Sequence, residues 1–328
     1  MRWIKMNSVR AEEENNRRVL IMIIGIDAGY GYVKTKNTSF PAGVAHLSDR
    51  PPMMNRVVEF QDRFYQVGVA NDGITEDKTV NEDYYILSLA AIAEEMKFVG
   101  IYDAEIVLAL GVPLMRYGAE KDKLIAYMKQ HDVVEFQYED KAYKCTISPH
   151  VYVFPQGYAA IAHRLNDIKG PCYLVDMGTG TTEILPINAD KSVDLGKAKT
   201  VQFGINNCIA SVNARISNKY NSTLPEDSII QIIMGAPQNA GLPDGVIAVC
   251  EDAIRDWTEE AIKLLRQNKV NFELVQTFFV GGGAGVIKRF GGAMLGTEHN
   301  ITFIEDICVN AKGYELLAKT MDTKYKNV

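Results

Sequence analysis

Apolar side chains run without a break from Val19 to Ile24 and lead into Gly25-Ile26-Asp27, which predicts a strand buried on both faces. A glycine turn and a second strand follow, to about residue 36. Residues 55–69 alternate loosely between apolar and polar positions and predict a hairpin closing near Gln61-Asp62-Arg63. The spacing then changes. Tyr85, Leu89, Ile92, Ala93 and Met96 recur at helical intervals, so residues 82–99 read as a helix with one buried stripe. Further on come a strand at 104–111, a helix at 117–130, strands near 133–138 and 142–153, and a helix from Gln156 to Asn166. Gly170-Pro171 punctuates the chain before a strand at 172–177. A strand to Ile187 and one ending near Phe203 follow, then helices near 205–220, 225–234 and 243–268, a strand at 274–280 and a last helix at 311–322. Strands alternating with helices predict α/β layers.

Two of these strands open in the same way. Ile24-Gly25-Ile26-Asp27-Ala28-Gly29-Tyr30-Gly31 and Leu174-Val175-Asp176-Met177-Gly178-Thr179-Gly180 share an apolar run, an aspartate and two glycines at alternate positions. Each leads into another strand rather than directly into a helix. The repetition predicts two related half-molecules facing one another, and the 328 residues leave room for about two domains.

A net charge of −6 argues against a general surface for nucleic acid or anionic membrane. The cysteines, Cys145, Cys172, Cys208, Cys250 and Cys308, form no CxxC pair, so they read as small buried hydrophobes rather than metal ligands. Residues 1–18 carry both signs of charge and read as a flexible extension, dispensable if translation starts at Met22. The apolar run behind them is too short to span a membrane.

The glycine turns carry the candidate chemistry. Without a Cβ, Gly29 and Gly31, and likewise Gly178 and Gly180, let backbone N–H groups approach an anion. Two such hairpins can close on a polyphosphate from opposite sides. Asp27 and Asp176 would then sit beside phosphates that repel them, and magnesium, held through water by carboxylates and by phosphate oxygens, removes that conflict. Lys34, on the second strand of its hairpin, could reach a phosphate as a point charge. Gly281-Gly282-Gly283, after the apolar run Thr277-Phe278-Phe279-Val280, suits close approach to a ligand.

Taken together, these residues resemble the actin-like ATPase superfamily, which also holds sugar kinases and heat-shock chaperone ATPases. Within it the chain most resembles ParM-type plasmid-segregation actins and related archaeal proteins. Asp27-Ala28-Gly29-Tyr30-Gly31-Tyr32-Val33-Lys34 is similar to the first phosphate loop, with Tyr30 where actin has serine. Asp176, Gly178, Thr179, Gly180, Thr181 and Thr182 match the second loop. Val153-Phe154-Pro155-Gln156-Gly157-Tyr158-Ala159-Ala160 resembles the first connecting motif, Val280-Gly281-Gly282-Gly283-Ala284 the adenosine motif, and Asn310-Ala311-Lys312-Gly313-Tyr314 the second connecting helix.

The resemblance implies an actin-like, ribonuclease H-like fold in two duplicated domains with a nucleotide cleft between them. Residues 19–169 with 313–328 would form the first domain, carrying an inserted subdomain over about 37–145, and residues 170–312 the second. ATP or GTP would bind with magnesium held through water by Asp27 and Asp176. Gln156 would orient the attacking water, since a glutamine amide is too weakly basic to take its proton, and Glu183 would be a second water-orienting group. Amides of residues 29–31 and 178–180 would stabilise charge on phosphate oxygens. The implied function is a cytoplasmic filament that assembles head to tail and segregates plasmid DNA through a small DNA-binding adaptor, touching neither nucleic acid nor membrane itself.

A soluble phosphotransferase or exopolyphosphatase of the same superfamily is the alternative. A kinase should supply an aspartate as general base for a substrate hydroxyl, and a polyphosphatase a basic track, which the net charge of −6 disfavours. A membrane-tethered scaffold would need an amphipathic basic tail, and the end of the chain, Thr320 to Val328, has too little apolar surface.

Overall fold

A computed structural model describes residues 20–50, 54–69, 79–296 and 300–321; the expected extension over residues 1–18 lies outside them. In chain order the first elements are β1 (Ile21–Ala28), β2 (Tyr32–Lys34), β3 (Ser39–Pro41), β4 (Gly43–Leu47), β5 (Val57–Phe60), β6 (Arg63–Val69), α1 (Asp83–Val99) and β7 (Asp103–Val112). Then come α2 (Tyr117–Met128), β8 (Val133–Tyr138), β9 (Lys141–Ile147) and β10 (Tyr152–Pro155). The second half holds β11 (Cys172–Met177), β12 (Thr182–Ile187), β13 (Lys199–Val201), α3 (Ile205–Tyr220), α4 (Glu226–Ile233) and α5 (Asp244–Gln267). It ends with β14 (Gln276–Val280), α6 (Gly282–Gly291), β15 (Ile301–Phe303) and α7 (Val309–Met321).

The strands form two sheets, of ten and five strands, and the sheets repeat one plan. In the first, β1, β2 and β3 form an antiparallel meander, β7 lies parallel beside β1, and β10 lies parallel beside the far end of β7. In the second, β11, β12 and β13 form the meander, with β14 parallel to β11 and β15 parallel to β14. The duplication read from the two Asp-x-Gly-x-Gly openings is therefore present in the topology. Strands β4 to β6, β8 and β9 extend the first sheet, β4 to β6 preceding α1 and β7 in the chain and β8 and β9 following them.

Local signals account for most boundaries. Six consecutive residues of β1 are buried because β7 pairs along one edge while helices cover its faces. Gln61 and Asp62 both take positive φ, 51° and 59°, the twist a two-residue hairpin needs. Helix α1 stops at Gly100, which is left-handed with φ 73°. All five cysteines are buried and unbridged, as small core residues should be. Among the described residues no helix is long and apolar enough to cross a membrane.

Tertiary structure overrides the pattern at two places near the site. The strand expected over 142–153 is broken between β9 and β10, around Ser148, Pro149 and His150, because Pro149 has no N–H to give to a ladder. The helix expected from Gln156 begins only at Tyr158 and is 3₁₀ through Asp167. Gly157, with φ 74°, turns the chain first, so Gln156 hangs at the end of a strand. Helix α6, β3, β4 and β15 had no separate expectation. The strands are short, and glycines at the start of α6 read as turn.

Candidate active site

The two aspartates stand where β1 and β11 end, Asp27 held by two side chains from elsewhere in the chain and Asp176 by one. Gln156 Nε2 donates to Asp27 Oδ1 at 3.1 Å, and Tyr314 Oη donates to the same oxygen at 3.5 Å. Asn310 Nδ2 donates to Asp176 Oδ2 at 3.3 Å while its Oδ1 accepts the Gly157 N–H at 3.1 Å. Glu183 lies directly across from Asp176 in the β11–β12 register and is 8% exposed. Its Oε2 is buried with no hydrogen-bond partner.

This acidity is out of balance. Burial pushes the Asp176 carboxyl up to about 6, with the charge of Asp27 adding to it and Asn310 and Lys34 opposing. Burial raises Glu183 to about 8, helped by Asp176 and Asp27 and opposed by Arg116. Converging carboxyls and an orphaned buried oxygen suit a cation better than they suit one another. Among the described residues no three His, Cys, Asp or Glu side chains are placed to hold a metal directly. A magnesium ion arriving with phosphates and its own water shell fits that arrangement.

The glycine turns meet from opposite sides. A Cβ on Gly31 would lie 2.8 Å from Thr179 Oγ1, and one on Gly180 would lie 3.8 Å from Tyr30 Cδ2. Both turns close alike, by Gly29 N–H to Tyr32 O and Gly178 N–H to Thr181 O, each at 2.9 Å. Those two amides are thus engaged within their own turns, and the phosphate-facing expectation narrows to amides further round each loop. The second loop is braced from behind, where Ile205 and Asn206 at the start of α3 donate to the carbonyls of Gly178 and Thr179.

Several expected contact residues have other duties. Thr182 is fully buried and donates to Phe203 O at 2.6 Å, and Ala284 is fully buried in the core beside α6. Both side chains are enclosed because the first turn of α6 packs against the second core and the Thr182 hydroxyl is bound to Phe203 O. Gly281 has φ 83°, and a Cβ there would lie 2.5 Å from both Asp176 Oδ1 and the Met177 carbonyl. A Cβ on Gly283 would run into the Met177 side chain. These two glycines serve contact with β11, whereas Gly282 meets nothing within 4 Å and is the open one. Lys34 pairs opposite Asp27 across β1 and β2, near enough to temper Asp176. Burial, with Asp227 and Glu226 of α4, raises the Tyr32 hydroxyl, so α4 starts close to the first hairpin.

Residues 25–158 match a family model described as actin like proteins N terminal domain. The chain is similar in structure to Ta0583, an archaeal actin homologue, with TM-score 0.70 and 21% identity over 91% of this chain and 99% of that one. The same archaeal protein in complex with ADP gives 0.68 and 20% over 91% and 99%. Apo psk41 ParM gives 0.69 and 15% over 94% and 99%, and the 15-stranded ParM filament from Clostridium botulinum 0.69 and 19% over 92% and 99%. The chain has an actin-like fold. No curated protein sequence matches it.

Two residues of this actin-like cleft had no assigned role in the sequence, Asn310 and Tyr314. The signal was there: both are polar, four apart near the start of a helix, and so share one face. Next to them Glu315 accepts the Gly25 N–H at 3.4 Å, and burial raises its carboxyl to about 7 against the pull of Lys36.

The raised carboxyls make a pH prediction. Glu183 and Glu315 keep their protons to about 8 and about 7 when folded, against an ordinary 4.5. Between those limits the folded chain binds more protons than the unfolded one, so stability falls as pH rises. Melting of the nucleotide-free actin-like chain is expected at higher temperature at pH 5.5 than at pH 8, read by differential scanning fluorimetry. Glu183→Gln should flatten the slope; an unchanged slope would remove Glu183 as a source.

Proposed function

We propose that the chain is an ATPase that assembles head to tail into filaments and segregates plasmid DNA through a DNA-binding adaptor. One observation carries the nucleotide part: two glycine turns, each led by an aspartate, face one another at Gly31 and Thr179, with Gln156 donating to one of the aspartates. ATP or GTP would lie between the turns. Asp27 and Asp176 would hold magnesium through its water shell, and bound magnesium supplies neutralisation of phosphate charge.

The chain's own residues do the rest. Gln156 can release or share its bond to Asp27 and orient a water with its amide, and Glu183 can take a second bond from that water. Lys34 adds a positive charge beside the phosphates, and loop amides past Gly29 and Gly178 donate to their oxygens. Positioning alone hydrolyses slowly, which suits a timer of polymer stability. An ADP complex of the archaeal homologue and a ParM filament among the structural relatives support nucleotide use and self-association. The partition role rests on the resemblance to ParM-type actins, and a net charge of −6 agrees with leaving DNA and anionic membrane to other partners. A cytoplasmic location follows from the same reading.

The test is right-angle light scattering of the purified protein with magnesium and ATP, GTP or neither, with phosphate release recorded together. A nucleotide-dependent rise above a critical concentration, followed by phosphate release and decay, is the expected trace. Phosphate release without any rise in scattering would sink the filament and leave a soluble enzyme.

A further inference from the structure

Asp27 and Asp176 belong to different sheets, yet one helix holds both. Helix α7 places Asn310 and Tyr314 one turn apart, and the first donates to Asp176 while the second donates to Asp27. The helix is seated closely enough to transmit position. Gly25 of β1 lies under the Ala311 carbonyl, Gly111 of β7 lies under the Tyr314 hydroxyl, and Gly313 lies against the Ala159 carbonyl; a Cβ at any of the three would collide. Tyr314 is fully buried, with its ring stacked on Phe154 at 6.2 Å and 11°. Asn310 also accepts from the Gly157 N–H, which ties the helix to the turn that carries Gln156.

We propose that Asn310 and Tyr314 form a strut: two positioning residues on one helical turn that set the separation of Asp27 and Asp176, so that both meet one hydrated cation. This rests on the reading of the cleft as a magnesium–nucleotide site. Neither side chain would meet the hydrated cation itself; each fixes a carboxylate that would hold it through water. Loosening either end lets one aspartate drift, and the cost appears only when a cation must be shared.

The experiment is titration of the full chain with a fluorescent N-methylanthraniloyl ATP, in excess magnesium and in EDTA, for wild type, Tyr314→Phe, Asn310→Asp and the double variant. Tyr314→Phe removes only the hydroxyl and keeps the stacked ring. Asn310→Asp keeps the acceptor for Gly157 and turns the donor facing Asp176 into a repelling carboxylate. Each single variant is expected to weaken binding in magnesium by about tenfold, the scale of a hydrogen bond to a charged group, with binding in EDTA changed less than about twofold. The double variant should lose less than the product of the two, because one loosened end already frees the separation. Equal weakening with and without magnesium, alongside a lowered melting temperature, would make these residues merely structural and overturn the strut. Full multiplicativity would overturn it too, by making the two ends independent. Wild type that fails to bind in magnesium would sink the nucleotide reading and the strut with it, whereas wild-type binding with unchanged variants would sink the strut alone.

Discussion

Gly313→Ala is expected to lower the melting temperature by about 6 °C or more. The new Cβ would run into the carbonyl oxygen of Ala159, in the 3₁₀ segment that follows Gly157. Backbone meets backbone there, so no side-chain rotamer relieves the contact. Helix α7 cannot retreat without losing its seat, because Gly25 already touches the Ala311 carbonyl from below. Overpacking in a filled core costs about 1–3 kcal/mol and exceeds that when a main chain must move. Gly118→Ala is the control: its Cβ would meet nothing within 4 Å, and alanine suits a helix better by up to about 1 kcal/mol. Melting curves of the two variants should therefore move in opposite directions, or Gly118→Ala not at all. A Gly313→Ala protein melting within a degree of wild type would show that α7 is not tightly seated.

Gln156→Ala is expected to stop the chemistry while leaving the fold standing. Phosphate release should fall by about 10²–10³, the loss seen when one preorganised donor is taken from a transition state. Scattering in magnesium and ATP should still rise and then persist, since assembly needs bound nucleotide and decay needs hydrolysis. The side chain's visible bond is to Asp27, a single hydrogen bond whose net contribution is about 1 kcal/mol, so melting should shift by only a few degrees. Release at the wild-type rate would take Gln156 out of the reaction. A variant that neither binds nor assembles would point to Gln156 as a support for Asp27.

Much of the architecture could be read from local pattern. The buried runs ending at Asp27 and Asp176, the hairpin at Gln61-Asp62 and the helical spacing of α1 are patterns within a few residues, and a few residues suffice to record them; that α1 is buried from Tyr84 to Ala93 on every side, rather than along one stripe, is not written there. The duplicated openings turned into a duplicated sheet plan because each meander begins from the same strand–turn–strand unit. The errors have equally local causes. Pro149 interrupted a run of strand-forming residues, and Gly157 turned the chain before a helix could start at Gln156. Among the glycines after β14, composition marked close approach correctly but not its object. Gly281 and Gly283 press on β11, and only Gly282 has open space. Thr182 and Ala284 follow the motif, and both are fully buried.

By itself the sequence determined the two aspartate–glycine turns, their repetition and the α/β layering, because each is written in neighbouring residues whose backbone preferences act without help from distant parts. Only the tertiary structure decided which side chains converge on those turns. Tyr314 reaches Asp27 across 287 positions, Asn310 reaches Asp176 across 134 and Gln156 reaches Asp27 across 129. No period or spacing along the chain encodes such meetings. Burial then did what composition could not: it raised Glu183 and Glu315 far above ordinary carboxylates, because desolvation depends on what surrounds a group in space rather than on what precedes it in the chain.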